Sequence, residues 1–284
     1  MNEIKNNNLV TFEGVNAKVA RADNGLTSLK DEMNRFCKEL WRSVNREIRE
    51  DTDEQIWIYR GETPKVPLGW SVRIGEILYN LRSALDHLVW QLVLINGQTP
   101  GQYNSFPIVS DKSKWDKEKS RKLKGISQKD EEMIRRLQPY TGGINLPFDV
   151  SAFWALHTLC NIDKHRHLIL AAISLDMSNP IFGHDFSPVQ GLKGQVYSGK
   201  IVKGKVLSCF NNAETEINPS FQIGVSFEKF ENIELKKEDR LAEIFSRSLF
   251  VRPASTVLCK CLKAVQGALS IFKATLIKGH TLNY

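Results

Sequence analysis

The chain has 284 residues, of which 42% are hydrophobic and 25% are charged, and it contains 18 glycines and 10 prolines. These values are typical of a globular protein and exclude a disordered, collagen-like or low-complexity chain. Lys and Arg outnumber Asp and Glu by 39 to 32, and the resulting net charge of +7 is compatible with a polyanionic partner such as RNA.

The cysteines and the first residues bear on the compartment. The five cysteines are scattered and form no C-x-x-C pair, which excludes a zinc ribbon and a thioredoxin-like motif. The first ten residues, MNEIKNNNLV, lack the basic and then apolar layout of a signal peptide. No apolar run reaches the roughly 20 residues that span a bilayer. We therefore expect a cytoplasmic protein with reduced thiols and no membrane partner.

The first third of the chain shows mainly helical periodicity. Apolar residues spaced by three, four or seven predict a long polar helix over 14–50, and the alternation in 55–60 predicts a short strand. The strongest pattern lies in 70–95, which Asn96-Gly97 would end. Seven aliphatic residues there follow one helix face: Ile74, Ile77, Leu78, Leu81, Leu85, Leu88 and Leu92.

Further helices are predicted after a basic, irregular tract. Ser127, with Asp130 three residues later, is expected to cap a short helix that runs to Leu137. Another helix is expected to open at Asp149 or Ser151 and to run to about Lys164.

The sequence pattern changes to strands in the next part of the chain. Three stretches favour β-branched and alternating residues and predict a small antiparallel sheet: 167–175, 195–210 and 221–228. A short helix at 239–247 and a last helix at 254–277 are predicted to follow.

The predicted fold is mainly α and forms a single domain over 1–284. A four-to-five-helix bundle is expected from residues 14–166 and 252–277. The β-rich part, about 167–250, is expected to be a small insertion between the third and last main helices.

The helix predicted over 70–95 carries polar residues beside its core face. At 100° per residue, Asn80 and His87 fall on one flank of this face. Arg82 and Asp86 fall on the other flank, where they are spaced to pair at i and i+4. Taken one at a time, each of these residues could simply lie on a solvent-exposed helix surface that carries one ion pair. The occurrence of all four within eight residues favours a functional site instead.

A second polar cluster lies in the sequence HTLCNIDKHRH. His157 and Asn161 share a helix face at i and i+4, and His165 continues that face. Lys164 and Arg166 stand at the end of the helix, where its dipole also favours cations. The cluster therefore has two interpretations, a charged helix end or part of a site that also includes the helix over 70–95.

Other chemistries have less support. His157 and His165 are candidate metal ligands together with His87 or Asp86, but no Glu-x-x-His occurs and the nearby cations would repel a metal ion. The chain has no Gly-x-Ser-x-Gly, no P-loop and no dinucleotide fingerprint. We therefore expect neither a metal ion nor another cofactor.

The segment Arg82-Ser-Ala-Leu-Asp-His87 has the Arg-x4-His spacing found on a helix of HEPN proteins. The chain resembles this superfamily, and it is similar to uncharacterised bacterial proteins that carry LRSALDHLVWQL and NIDKHR. The resemblance implies a helical bundle and a metal-independent ribonuclease with Arg82 and His87 as catalytic residues. From their spacing we add seven supporting residues: Asn80, Asp86, His157, Asn161, Lys164, His165 and Arg166.

The resemblance also implies partners. They are an RNA substrate, a second copy in a homodimer, and a partner protein if the chain is the toxin or effector of a bacterial toxin–antitoxin or phage-defence system. His87 would move the proton of a ribose 2′-OH or of the leaving oxygen, and Arg82 would stabilise the charge on the phosphorane. The alternative is a catalytically inactive HEPN-like binding or regulatory module, in which the same polar groups only fix helix packing.

Overall fold

The structure is a computed structural model. It describes residues 11–143, 145–165, 168, 170–176, 194–197, 199–211, 221–228 and 252–280. Within these residues lie six α-helices: α1 (Glu13–Trp41), α2 (Leu68–Ile95), α3 (Trp115–Lys122), α4 (Gln128–Arg136), α5 (Ser151–His165) and α6 (Ala254–His280). The same residues contain seven strands: β1 (Val44–Arg49), β2 (Glu54–Tyr59), β3 (Leu170–Asp176), β4 (Gly194–Val196), β5 (Gly199–Lys200), β6 (Val206–Asn211) and β7 (Phe221–Phe227).

The central helix is α2, which packs against α1, α5 and α6. The prediction over 70–95 is confirmed, with the helix beginning two residues earlier. Its apolar face is fully buried, including Leu81, Leu85 and Leu88 at 0% exposure. Because α2 contacts three other long helices, its position fixes which polar side chains reach the gaps between them.

The short helix α4 begins where its capping residue predicts. Ser127 is the N-cap, and its Oγ accepts a hydrogen bond from the Asp130 backbone N–H at 3.1 Å. This bond satisfies one of the amide groups that a helix leaves unpaired at its start.

The predicted long helix over 14–50 is wrong in its second part. Helix α1 ends at Trp41, and the chain continues as a hairpin in which β1 pairs antiparallel with β2, from Val44 opposite Tyr59 to Arg49 opposite Glu54. Five consecutive residues of β2 are buried, which requires cover on both faces of the strand. A partner strand therefore outweighs the local helical preference of the charged segment.

The strands form two antiparallel sheets. The first has the order β1-β2-β6-β4 and the second the order β5-β3-β7. Two strands of the first sheet precede α2 in the chain, and they join strands that follow α5. Val225 and Phe227 of β7 lie in the same buried core as the long helices.

The predicted helical bundle with one small β insertion is therefore wrong, and the fold is mixed α/β. Apolar periodicity is a property of each segment by itself and does not indicate that 54–59 pairs with 206–211. The predicted short helix at 239–247 lies outside the described residues.

Helix α6 is the last helix of the described chain. Its stretch Ala254–Thr275 has a mean hydropathy of 1.2 and is long enough to cross a membrane, but half of it is buried inside the protein. Leu258, Cys261, Val265 and Phe272 contribute to the core at 7% exposure or less. That burial is typical of a helix that packs into a protein core.

Candidate functional site

A cleft of about 370 Å³ opens between α2, α5 and the segment that follows α2. Arg82 and Asp86 reach it from α2, and Asp163 and Lys164 reach it from α5. Ser105 lines it from the extended segment before α3. The cleft therefore contains two cationic and two anionic side chains from two packed helices.

The close approach of α5 to α2 depends on a glycine. The carboxylate of Asp163 lies where a side chain at Gly75 would be, so any Cβ there would collide with it. Gly75 thus allows Asp163 to lie against the backbone of α2 at one end of the cleft.

Arg82 and Asp86 form the ion pair that their spacing predicts. Arg82 Nη2 lies 3.1 Å from Asp86 Oδ1 and also donates to the carbonyl oxygen of Phe106 at 2.5 Å. Asp86 Oδ1 in turn accepts a hydrogen bond from the Phe106 backbone N–H at 2.8 Å. The Arg82 side chain is only 16% exposed, so this pair is partly removed from water.

One nitrogen of the Arg82 guanidinium is left over. Nη1 is buried and has no hydrogen-bond partner among the described residues. A buried donor of this kind carries a desolvation cost that an acceptor would offset.

His87 lies on a different flank of α2. Its ring faces α1, since a Cβ at Gly14 would lie 3.7 Å from His87 Nδ1, and it does not line the cleft. Partial burial and the nearby Lys18 cation lower the pKa of His87, and the carboxylate of Asp86 opposes that shift. The imidazole is therefore neutral at neutral pH.

Asn80 also faces α1. Its Nδ2 donates to the carbonyl oxygen of Glu76 at 2.8 Å, and it lines a shallow polar groove with Arg21 and Asn24. Asn80 and His87 thus share the flank predicted for them, and the structure directs that flank to α1 while Arg82 and Asp86 face α5.

His157 of α5 is coupled electrostatically to the cleft. Asn161 Nδ2 lies 3.1 Å from His157 Nε2, as the shared helix face predicts. Burial lowers the pKa of His157 to about 4, with further contributions from the cations Arg82, Lys122 and Lys164. His157 is therefore a neutral imidazole with three cationic side chains nearby, whose effect on its pKa Glu118 opposes.

The rest of the second cluster lies at the end of α5. Lys164 lines the cleft, and His165 is exposed in the last turn. Arg166 lies outside the described residues. The structure thus brings Arg82, Asp86 and Lys164 to one cleft and leaves Asn80 and His87 on another flank of α2.

The site predicted from the sequence did not include several contributors to the cleft. Among them are Gly75, Asp163, Ser105, the exposed ring of Tyr79 and the backbone of Phe106. A glycine inside an otherwise aliphatic helix face is the signal that was available for Gly75. Nothing local to Phe106 indicates its pairing with residues 20 and 24 positions away.

No group of three or more His, Cys, Asp or Glu side chains that could hold a metal ion is found in the described part of the chain. No family model, curated protein or solved structure matches this sequence in the comparisons with known proteins.

Proposed function

We propose that this chain is a HEPN-like, metal-independent ribonuclease of the cytoplasm that acts as a homodimer. The supporting observation is Arg82, a partly buried guanidinium at the wall of a cleft with one donor nitrogen unpaired. A phosphodiester supplies the acceptor oxygens and the negative charge that such a group lacks. Lys164 adds a second cation in the same cleft.

The second copy is needed for the chemistry. Arg82 faces α5 and His87 faces α1, so both side chains of one chain do not meet at one phosphate. A partner chain would supply His87 to the Arg82 cleft, with the neutral imidazole accepting the proton of the ribose 2′-OH as the 2′-oxygen bonds to phosphorus. The bond from phosphorus to the 5′-oxygen breaks, that oxygen takes a proton from the imidazolium or from water, and a 2′,3′-cyclic phosphate is left. Arg82 would stabilise the charge that develops on the phosphorane.

One observation favours a second candidate, a catalytically inactive HEPN-like binding or regulatory module. Arg82 and Asp86 together bind both backbone polar groups of Phe106, which is a structural role sufficient to explain them. In this case the cleft binds RNA or a partner protein without cleaving it.

The test is cleavage of total RNA by purified protein, measured both in EDTA and without it. We expect the wild type to cut, and Arg82→Ala and His87→Ala to lose about 10²–10⁴ in rate, because each removes a group that acts in the transition state. Arg135→Ala is the matched control, since the Arg135 side chain is 43% exposed, lies outside the cleft and forms its ion pair with Glu132 one turn away. Cleavage that persists in His87→Ala but stops in EDTA contradicts the proposal and indicates a metal site.

The two candidates give different results in the same assay. A wild type that binds RNA through Arg82 but leaves it intact supports the inactive module.

A toxin or effector role predicts a further effect. Expression of the wild type in a bacterium should arrest growth, and expression of Arg82→Ala should not. A partner protein from the same system should relieve the arrest.

A further inference from the structure

We propose that Tyr79 and Tyr103 are stacking platforms for unpaired bases of the strand whose phosphate lies at Arg82. This inference rests on the proposed RNA substrate and names the form of RNA that the site takes. Both tyrosines are largely exposed, at 64% and 66%, although aromatic side chains are usually among the more buried ones.

Tyr79 stands beside Arg82 in the cleft. It precedes Arg82 by three residues on α2, which makes the two side chains neighbours on the helix surface, and both line the cleft. Lys18 Nζ lies 5.6 Å from the centroid of the Tyr79 ring and covers one of its faces. A base can therefore stack on the other face while its phosphate is held one helix turn away.

Tyr103 is presented by a fixed turn. The Gly101 N–H donates to Asn104 Oδ1 at 2.7 Å, and Asn104 Nδ2 donates to the carbonyl oxygens of Lys122 and Lys124 at 3.1 and 2.9 Å. These bonds hold the turn against the end of α3. An aromatic ring on a rigid turn loses little conformational entropy when a base stacks on it.

The turn that carries Tyr103 adjoins the cleft. Ser105, which lines the cleft, donates its backbone N–H to the carbonyl oxygen of Lys122 at 3.2 Å. Exposed Lys124 bonds through its carbonyl oxygen to Asn104 of the same turn, and Lys164 lies in the cleft itself. A strand that passes from Tyr79 to Tyr103 would thus have cations near its backbone and a ring at each end.

The arrangement selects unpaired RNA. Bases within a duplex are already stacked on their neighbours and do not offer a free face to a side chain. Stacking on an aromatic side chain changes the affinity for a single strand by about 5- to 150-fold per base, for any base sequence. The two tyrosines thus favour single-stranded segments without reading a specific sequence.

The test is fluorescence anisotropy with a labelled 2′-O-methyl oligonucleotide, which binds but is not cleaved. We expect the Kd to rise by about 5- to 150-fold in Tyr79→Ala and in Tyr103→Ala. The Phe variants should stay close to the wild type, because they keep the ring. Tyr197→Ala is the matched control, since Tyr197 is an exposed tyrosine between β4 and β5. The same sequence within a hairpin duplex should bind less tightly than the single strand.

Three results would overturn the inference: alanine variants that bind like the wild type, phenylalanine variants as weak as the alanine ones, or equal affinity for the duplex. Arg82→Ala separates this failure from that of the proposed function. If Arg82→Ala loses binding and the tyrosine variants do not, only the stacking is wrong. If the tyrosine variants lose binding and Arg82→Ala does not, the stacking stands and the proposed role of Arg82 is wrong.

Discussion

Arg82 and Asp86, one turn apart on α2, bind the two backbone polar groups of the same residue, Phe106. The guanidinium donates to its carbonyl oxygen, and the carboxylate accepts from its N–H. The Phe106 ring is fully buried, and its centroid lies 5.8 Å from that of Phe153 on α5. An ion pair on the surface of one helix therefore fixes the segment that follows it and, through that segment, one wall of the cleft.

Asp86→Ala tests this arrangement through stability. The change leaves the Phe106 N–H without its acceptor and Arg82 without its counter-ion, so we expect a loss of about 1–3 kcal/mol in the free energy of unfolding. Urea denaturation measures it. Asp116→Ala is the control, because Asp116 is 87% exposed and its ion pair with Lys119 lies at the surface. Equal stability of the two variants would contradict the structural role of Asp86.

His157 predicts a dependence of stability on pH. Its pKa is about 4 in the folded protein and near 6.5 when unfolded, so between these values the unfolded chain binds a proton that the folded chain does not. Stability should therefore fall as the pH drops through 6.5 and level off near pH 4, with about 3 kcal/mol from this residue.

Urea unfolding of His157→Gln at several pH values checks that prediction. Gln keeps an acceptor for Asn161 but does not titrate, so the variant should lose the part of the slope between pH 4 and 6.5 that belongs to His157. His165→Gln, the same change at the exposed end of α5, is the substitution control. The prediction fails if the His157 variant keeps the slope of the wild type.

Two glycine substitutions separate packing from helix propensity. The Phe148 ring lies where a Cβ at Gly267 of α6 would be, whereas nothing lies within 4 Å of a Cβ at Gly69 of α2. Both changes to Ala favour helix formation, but only Gly267→Ala overpacks the core. We expect the free energy of unfolding of Gly267→Ala to be about 1–3 kcal/mol lower than that of Gly69→Ala in chemical denaturation. Indistinguishable denaturation curves would show that Phe148 moves aside freely.

Phe227→Ala tests whether the second sheet belongs to the main core. Phe227 is 2% exposed and lies among the buried residues of the long helices. Truncation of a buried Phe typically costs about 3–5 kcal/mol, and we expect that loss in chemical denaturation. Val202→Ala, at a position between β5 and β6 that is 41% exposed, should stay within about 0.5 kcal/mol of the wild type. If Phe227→Ala lowers the free energy of unfolding only slightly, the second sheet is instead separable from the helical core.

Helices with a strong apolar period could be predicted from the sequence alone. The bounds of α2, α5 and α6 fall within a few residues of those predicted, and Ser127 caps α4 as expected. The end of α1 could not be predicted in this way. It depends on the pairing of β1 with β2, and β2 is itself paired on its other edge with β6, about 150 residues further along the chain.

The candidate site was only partly predictable, because residue spacing describes one helix at a time. Spacing on one helix correctly predicts the Arg82–Asp86 pair and the contact of His157 with Asn161. Spacing does not indicate which neighbouring helix each flank of α2 faces. The separation of Arg82 from His87 follows from the positions of α5 and α1, which only the tertiary packing determines.

The pairing of β2 with β6 also has a consequence for synthesis on the ribosome. The ribosome adds about 5–20 residues per second, so β2 emerges roughly 8–30 seconds before the end of β6 has been made. During that interval the edge of β2, with Ile56, Trp57 and Ile58, has no strand to cover it. Slower translation lengthens the period in which nascent chains can associate through this edge, and a chaperone that binds short apolar segments would shield it.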